Sequence, residues 1–224
     1  RTGMEQLKLY FDSRGHEGRS PYEAPTKVVD GKISQRGMGN GVAMKIAPLA
    51  FYGGLEECVA MVGRLTHQDP RAWASAYAVA LMIRQDFPSW QLDYIIDKVK
   101  RFELSHGIDE DSFHSRLTRL RDSSLLHGPI ERLRKEIGVG CICLESVCFA
   151  IAVFLRNPTD FRAGVLEAVN SGGDADTTSA MVGAMIGAVV GVEGIPKEWI
   201  AFNKDFQKAI QLGEDFYWTI ENAY

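Results

Sequence analysis

The sequence has little of several features that mark particular classes of protein. Its 224 residues include only four cysteines, and none of these forms the paired CxxC spacing of a zinc site. The longest uncharged stretch, residues 177–192, is rich in glycine and alanine and is shorter than the roughly 20 apolar residues that cross a bilayer. There is no excess of basic residues, because the sequence has 25 Lys and Arg and 29 Asp and Glu, which gives a net charge of −4. These absences argue against a zinc finger, a membrane span and an electrostatic binder of nucleic acid.

The composition that remains is that of an ordinary globular protein, with 46% hydrophobic and 24% charged residues. The cysteines Cys58, Cys141, Cys143 and Cys148 are predicted to be buried free thiols in a reducing compartment, which favours a cytoplasmic location. The chain starts at Arg1 with neither an initiator Met nor a signal-peptide pattern, so the gene product is expected to extend upstream.

Helical periodicity dominates after residue 41, and no segment alternates with period two, so an all-α fold is predicted. No repeat or linker divides the chain, and residues 1–224 are therefore predicted to form one domain. Residues 1–36 are predicted to be a loop-rich lead-in that includes a short helix over 3–12. Pro70 and Pro158 are each expected to begin a helix. The stretch 140–155 is apolar on almost all sides, which predicts a central buried helix. The predicted helices cover 41–52, 55–66, 69–86, 89–104, 111–124, 140–155, 158–169, 174–191 and 203–222.

The stretch NSGGDADTT (170–178) brings two carboxylates and three hydroxyls to the start of a helix. Asp174, Asp176 and Thr177 are oxygen donors of the kind that Mg²⁺, Mn²⁺ or Ca²⁺ prefers. The alternative is that Asp174 or Asp176 is only a helix cap. Small residues continue at intervals of three and four along the helix, from Ala180 to Gly191, so the helix is expected to pack closely on its neighbours.

A glycine-rich turn, RGMGNGVAMK (36–45), leads into another predicted helix. Backbone N–H groups at such a helix start suit a phosphate or pyrophosphate, although close backbone packing explains the glycines equally well. His67 lies at a helix end, where it is either a cap or packed side chain or a contact to a ligand.

Taken together, these stretches resemble the ADP-ribosylglycohydrolase family. The resemblance is most specific at SGGDADTTSA (171–180) with the later glycines, and it is good at GNGVAMKIAP (39–48). THQDP (66–70), LES (144–146) and NPTDF (157–161) follow in the family's order, so the resemblance covers about 37–191. It implies an orthogonal all-helical fold with a binuclear magnesium or manganese site at the base of an ADP-ribose cleft.

The resemblance also assigns individual residues. Asp174, Asp176 and Thr177 match the family's C-terminal metal ligands. Gly39, Asn40 and Gly41 match the loop that lies against the ADP-ribose phosphates, His67 matches a residue that lines the cleft, and Glu145 matches a frequent residue with an expected structural role.

The sequence departs from the family before Arg36. Members carry a Gly-Asp-containing helix and a Thr-Asp-Asp helix there, which supply the other metal ligands and the general acid or base, and neither occurs here. The chain therefore either begins after these elements or is a degenerate member, and no catalytic residue is named. Three hypotheses follow: a hydrolase that removes ADP-ribose from a protein side chain or related conjugate, a non-catalytic ADP-ribose binder or crystallin-like structural protein, and a helical scaffold without metal.

Overall fold

The computed structural model describes residues 37–84 and 92–222, and the backbone of two short strands that precede them. The strands, β1 (Val28–Val29) and β2 (Lys32–Ile33), pair antiparallel. All other elements of the described residues are helices, and the all-α prediction is confirmed. The α-helices are α1 (Leu55–Arg64), α2 (Pro70–Arg84), α3 (Leu92–Ser105), α4 (Phe113–Thr118), α5 (Ser123–His127), α6 (Ile130–Ile137), α7 (Cys143–Arg156), α8 (Phe161–Asn170), α9 (Ala175–Val190), α10 (Lys197–Phe202) and α11 (Phe206–Glu221).

Helices α2, α7 and α9 pack against one another at the centre of the fold. The central buried helix predicted for 140–155 is confirmed by α7, in which every residue from Ser146 to Phe154 is buried. Helix α8 covers α9 and α7, and α1 and α3 pack on α2. The small residues of α9 leave room for the ring of Phe161 in α8, because a Cβ added to Gly183 or Gly187 would already be in van der Waals contact with that ring.

One of the two helix starts predicted from proline is confirmed. Helix α2 begins at Pro70, and the Asp69 carboxylate accepts a hydrogen bond from the Arg71 N–H at 2.9 Å. The start predicted at Pro158 is wrong, because α8 begins at Phe161. Asp160 is the N-cap of α8, and its carboxylate accepts from the Ala163 N–H at 2.9 Å, so the capping oxygen rather than the proline sets the start.

The single helix predicted over 41–52 is wrong in type. The segment forms two 3₁₀-helices, Ala43–Lys45 and Ala47–Phe51, with Pro48 near the start of the second. Proline has no N–H and clashes with the preceding turn of an α-helix, so a continuous α-helix is disfavoured here. Short 3₁₀ turns carry little dipole, so the anion-binding argument for this segment depends on its backbone N–H groups alone.

Other differences lie in the short elements. The pair of strands β1 and β2 falls in the predicted loop, where the dipeptide Asp30-Gly31 is a sequence signal for a hairpin turn. Helices α6 and α10 were not predicted, and the helix predicted over 111–124 is α4 followed by a 3₁₀ turn and α5. The helix predicted over 3–12 lies outside the described residues. Within the described part of the chain, none of the helices has the length and apolar character of a membrane span.

The prediction that all four cysteines are buried holds for two of them. Burial raises the pKa of Cys143 and of Cys148 to about 12, so both stay protonated. Cys58 is partly exposed and Cys141 is exposed. All four are free thiols, as expected.

Candidate functional site

The glycine loop (Gly37–Gly41) lies against the segment that precedes α7, residues 138–142, called here the support loop. Gly39 pairs with Ile142 in an antiparallel bridge. On either side, the Cys143 N–H donates to the Met38 carbonyl at 2.7 Å and the Asn40 N–H donates to the Cys141 carbonyl at 3.2 Å. The glycine loop is thus fixed at the start of the central helix.

The acidic turn (Ser171–Thr177) at the start of α9 lies on the same support loop. The Asp174 N–H donates to the Val139 carbonyl at 2.8 Å. Gly173 has a φ of +66°, and a Cβ added there would overlap the Val139 carbonyl oxygen. Glycine is therefore required at this position both for its backbone conformation and for the close approach of the two loops.

Asn40 joins the glycine loop directly to the acidic turn. Its buried side-chain amide donates one hydrogen bond to Asp174 Oδ2 at 2.5 Å and another to Ser146 Oγ at 2.9 Å. The Asp174 carboxylate accepts no hydrogen bond from the N–H groups of α9, although the residue is the N-cap. The helix-cap alternative therefore does not hold for the Asp174 side chain, which is turned toward the glycine loop.

His67 packs on the other face of the glycine loop. A Cβ on Gly39 would lie 3.2 Å from His67 Nε2, and one on Gly41 would lie 2.9 Å from His67 Cε1. Thr66 Oγ1 accepts from Lys45 Nζ at 3.2 Å and lies 2.9 Å from His67 Nδ1. The other ring nitrogen, Nε2, is the one that faces the glycine loop.

The environment of His67 keeps the imidazole neutral, which makes stability depend on pH. Burial, with the nearby charge of Lys45, lowers the pKa of His67 below its ordinary value of 6.5. The unfolded chain then binds the proton more readily, so His67 contributes stability that decreases as the pH falls through about 6.5. We expect the melting temperature to decrease from pH 7.5 to 5.5, and to decrease less in His67→Gln.

The control for this prediction is His127→Gln, since His127 is exposed at the end of α5. That variant is expected to follow the wild-type pH dependence. Thermal unfolding at each pH measures all three proteins, and an unchanged slope in His67→Gln would contradict the assignment.

Several carboxylates create a negative potential around Cys141. The charge of Asp174 contributes most to raising the pKa of this thiol, followed by burial, a hydrogen bond to Asp174, and the charges of Asp176 and Glu145. Glu145 is also part of the support loop's framework, because its Oε2 accepts from the Gly140 N–H at 3.1 Å. A site where three carboxylates act on one point attracts cations.

The predicted ligands fit a hard divalent cation in chemical type. The Asp174 carboxylate and the Thr177 hydroxyl are partly exposed, and the Asp176 carboxylate is exposed, so all three are accessible to an ion. Mg²⁺ requires about six oxygen ligands and Ca²⁺ six to eight. Among residues 37–84 and 92–222, no group of three or more His, Cys, Asp and Glu side chains is arranged to hold a metal. The three predicted ligands alone would therefore not complete a coordination shell.

The structure thus brings the predicted residues together in one region. The glycine loop contacts Asp174 through Asn40 and contacts His67 through Gly39 and Gly41. Asp176 and Thr177 follow Asp174 in the first turn of α9. Sequence reasoning missed Ser146 and the carbonyl of Val139, although Gly138 and Gly140 beside Glu145 are a signal that the support loop is tightly packed.

These features define an all-helical protein with a shared site formed by a glycine loop and an acidic helix start. The family model for ADP-ribosylglycohydrolase matches residues 3–223. The chain belongs to the ADP-ribosylglycohydrolase family, a family of glycohydrolase enzymes whose members are generally metal-dependent.

Individual relatives agree with this assignment. The chain is 25% identical to ADP-ribosylhydrolase ARH3 of Xenopus tropicalis, over 96% of this chain and 69% of that protein. It is 24% identical to ADP-ribosyl-[dinitrogen reductase] glycohydrolase of Rhodospirillum rubrum, over 75% of this chain and 51% of that protein. A solved structure described as an ADP-ribosylglycohydrolase-related protein complex shares the fold, with a TM-score of 0.67, 24% identity, and coverage of 96% of this chain and 72% of that chain. The chain thus spans only part of the length of its relatives.

Proposed function

We propose that this protein hydrolyses the bond between ADP-ribose and a modified protein side chain or a related conjugate, at a site that holds divalent metal ions. The observation that carries the proposal is the hydrogen bond from Asn40 to Asp174, which makes the glycine loop and the acidic turn one site. Membership of the family and the names of its relatives support the choice of substrate. The free thiols favour a cytoplasmic protein.

Each part of the site has a role in this proposal. The loop of Gly39, Asn40 and Gly41, with His67 beside it, lies against the ADP-ribose phosphates; the Asn40 N–H itself is held by the Cys141 carbonyl and fixes the loop. Asp174, Asp176 and Thr177 hold Mg²⁺ or Mn²⁺, as two ions in the family's pattern. A bound cation of this kind positions the ribose hydroxyls and acidifies a water molecule.

The charges of the described residues suit the reaction. Cleavage of a glycosidic bond develops positive charge on the ribose ring in an oxocarbenium-like transition state. The carboxylates of Asp174, Asp176 and Glu145 together make the region around Cys141 negative. Carboxylates that are already in place would hold the cations, and through them the ribose, without further reorganisation.

A second candidate is a non-catalytic ADP-ribose binder or a crystallin-like structural protein. It is favoured because, in the part of the chain that the structure describes, no group of three or more His, Cys, Asp and Glu side chains is arranged to hold a metal. In this candidate function, the glycine loop and His67 bind ADP-ribose, and the protein does not hydrolyse it.

Release of ADP-ribose from defined substrates distinguishes the two. The chain is incubated with peptides that carry ADP-ribosyl-serine or ADP-ribosyl-arginine and with O-acetyl-ADP-ribose, in MgCl₂, MnCl₂ or EDTA. We expect release that requires the cation, is lost in Asp176→Ala, and persists in Asp205→Ala, a matched exposed aspartate at the start of α11. Calorimetric binding of ADP-ribose without release would establish the binder, and neither binding nor release would overturn both candidates.

A further inference from the structure

Both hydrogen atoms of the Asn40 side-chain amide have a defined acceptor. One is donated to Asp174 Oδ2 and the other to Ser146 Oγ. Asn40 is 7% exposed and Ser146 is fully buried, so the bond between them is shielded from water. A carboxylate accepts hydrogen bonds only, which fixes the amide with its nitrogen toward Asp174.

The Ser146 hydroxyl has a defined direction as well. It donates its one hydrogen to the Ile142 carbonyl at 3.1 Å, so its lone pairs accept from Asn40. A continuous chain of hydrogen bonds therefore runs from the central helix α7 through Ser146 and Asn40 to the Asp174 carboxylate. In this chain the Ser146 hydroxyl and the Asn40 amide can each adopt only one orientation.

We infer that Ser146 is a positioning residue of the site, which orients the Asp174 carboxylate through Asn40. This inference rests on the proposed function, in which Asp174 binds a divalent cation. Without the Ser146 oxygen, the Asn40 amide has a buried N–H with no acceptor and loses one of the two bonds that hold it toward Asp174. Partners that orient a metal ligand typically change metal affinity by about 10- to 100-fold when they are removed.

The competing explanation is that Ser146 only fills space in α7. Ser75 provides a matched control, because it is also fully buried in a central helix and its hydroxyl donates to a carbonyl of its own helix, that of Ala72, at 2.9 Å. Ser75 makes no hydrogen bond to Asn40, which donates to Ser146 and Asp174 instead. Both Ser75→Ala and Ser146→Ala remove a buried hydroxyl from a central helix. Only Ser146→Ala also breaks the hydrogen-bond connection to Asp174.

Calorimetric titration of Mn²⁺ measures the first effect. Ser146→Ala is expected to weaken Mn²⁺ binding by about tenfold, Ser75→Ala to leave it unchanged, and Ser146→Thr, which keeps the hydroxyl, to restore most of it. In an Asn40→Ala background, Ser146→Ala is expected to cause no further loss, because the connection is already broken. Wild-type affinity in Ser146→Ala, or an equal loss in the Asn40→Ala background, would overturn the inference.

Thermal unfolding in EDTA gives a readout that needs no metal. Ser146→Ala and Asp174→Ala are expected to lower the melting temperature together by less than the sum of their separate effects, whereas additive shifts would overturn the positioning role. If wild-type protein binds no Mn²⁺, the proposed metal site fails, and this additivity test still decides the inference about Ser146. The two failures are therefore distinguishable.

Discussion

Replacement of Gly173 with alanine is expected to lower the free energy of unfolding by about 2–5 kcal/mol. A side chain in the left-handed region costs about 1–2 kcal/mol, and forcing a methyl group into a packed contact adds about 1–3 kcal/mol. Both costs apply because Gly173 has a φ of +66° and its Cβ would overlap the Val139 carbonyl oxygen. Denaturant unfolding of the purified variant measures the loss.

The neighbouring glycine is the control for this variant. Gly172 has a φ of +70°, but a Cβ there meets only Arg134 Nη2, at 3.8 Å. Gly172→Ala is therefore expected to lower the free energy of unfolding only by the cost of the left-handed backbone conformation, about 1–2 kcal/mol. Equal losses in the two variants would show that the contact between Gly173 and the support loop is unimportant.

Replacement of Asp174 or Asp176 with alanine is expected to weaken Mg²⁺ or Mn²⁺ binding by about 100-fold, the upper end of the range seen when a metal ligand loses support. Each variant removes one negative charge and one oxygen donor from the start of α9. Calorimetry with each cation measures the change, and Asp205→Ala is expected to leave metal binding unaffected. Unchanged affinity in both variants would exclude these carboxylates as ligands.

The two variants are expected to differ in stability without metal. Asp176 is exposed, so Asp176→Ala should leave the melting temperature in EDTA almost unchanged. Asp174→Ala leaves the buried Asn40 N–H without its acceptor, which costs about 1–3 kcal/mol. Asp174→Asn keeps an oxygen for Asn40 while it removes the charge, so it should recover stability but not metal affinity. A stability loss in Asp176→Ala as large as that in Asp174→Ala would instead indicate helix capping.

Most of the fold could be predicted because long helices have strong periodicity. The apolar run of α7 and the small residues of α9 identified the central helices, and the Asp69-Pro70 pair located the start of α2. The errors lie where local rules compete. Helix α8 begins after the capping residue Asp160 and not at Pro158. The predicted α-helix over 41–52 is instead two 3₁₀-helices, with Pro48 near the start of the second.

The components of the candidate site could also be found from the sequence, but not their connections. Oxygen-bearing residues at a helix start and a glycine-rich turn are local patterns, so Asp174 and the glycine loop were identified. The hydrogen bonds of Asn40 to Ser146 and Asp174 span 106 and 134 positions in the chain, and no local pattern encodes them. Whether Asp174 capped its own helix could be decided only by the direction of its side chain.

The support loop makes the site a product of the whole fold. Its carbonyls receive the N–H groups of Asn40 and Asp174, which reach it only after helices far apart in the chain have docked. Contacts between segments so far apart in the sequence cost loop-closure entropy, so the two halves of the site are held together only by the assembled fold. Cation binding is therefore expected to be lost together with the tertiary structure when the chain is unfolded by denaturant.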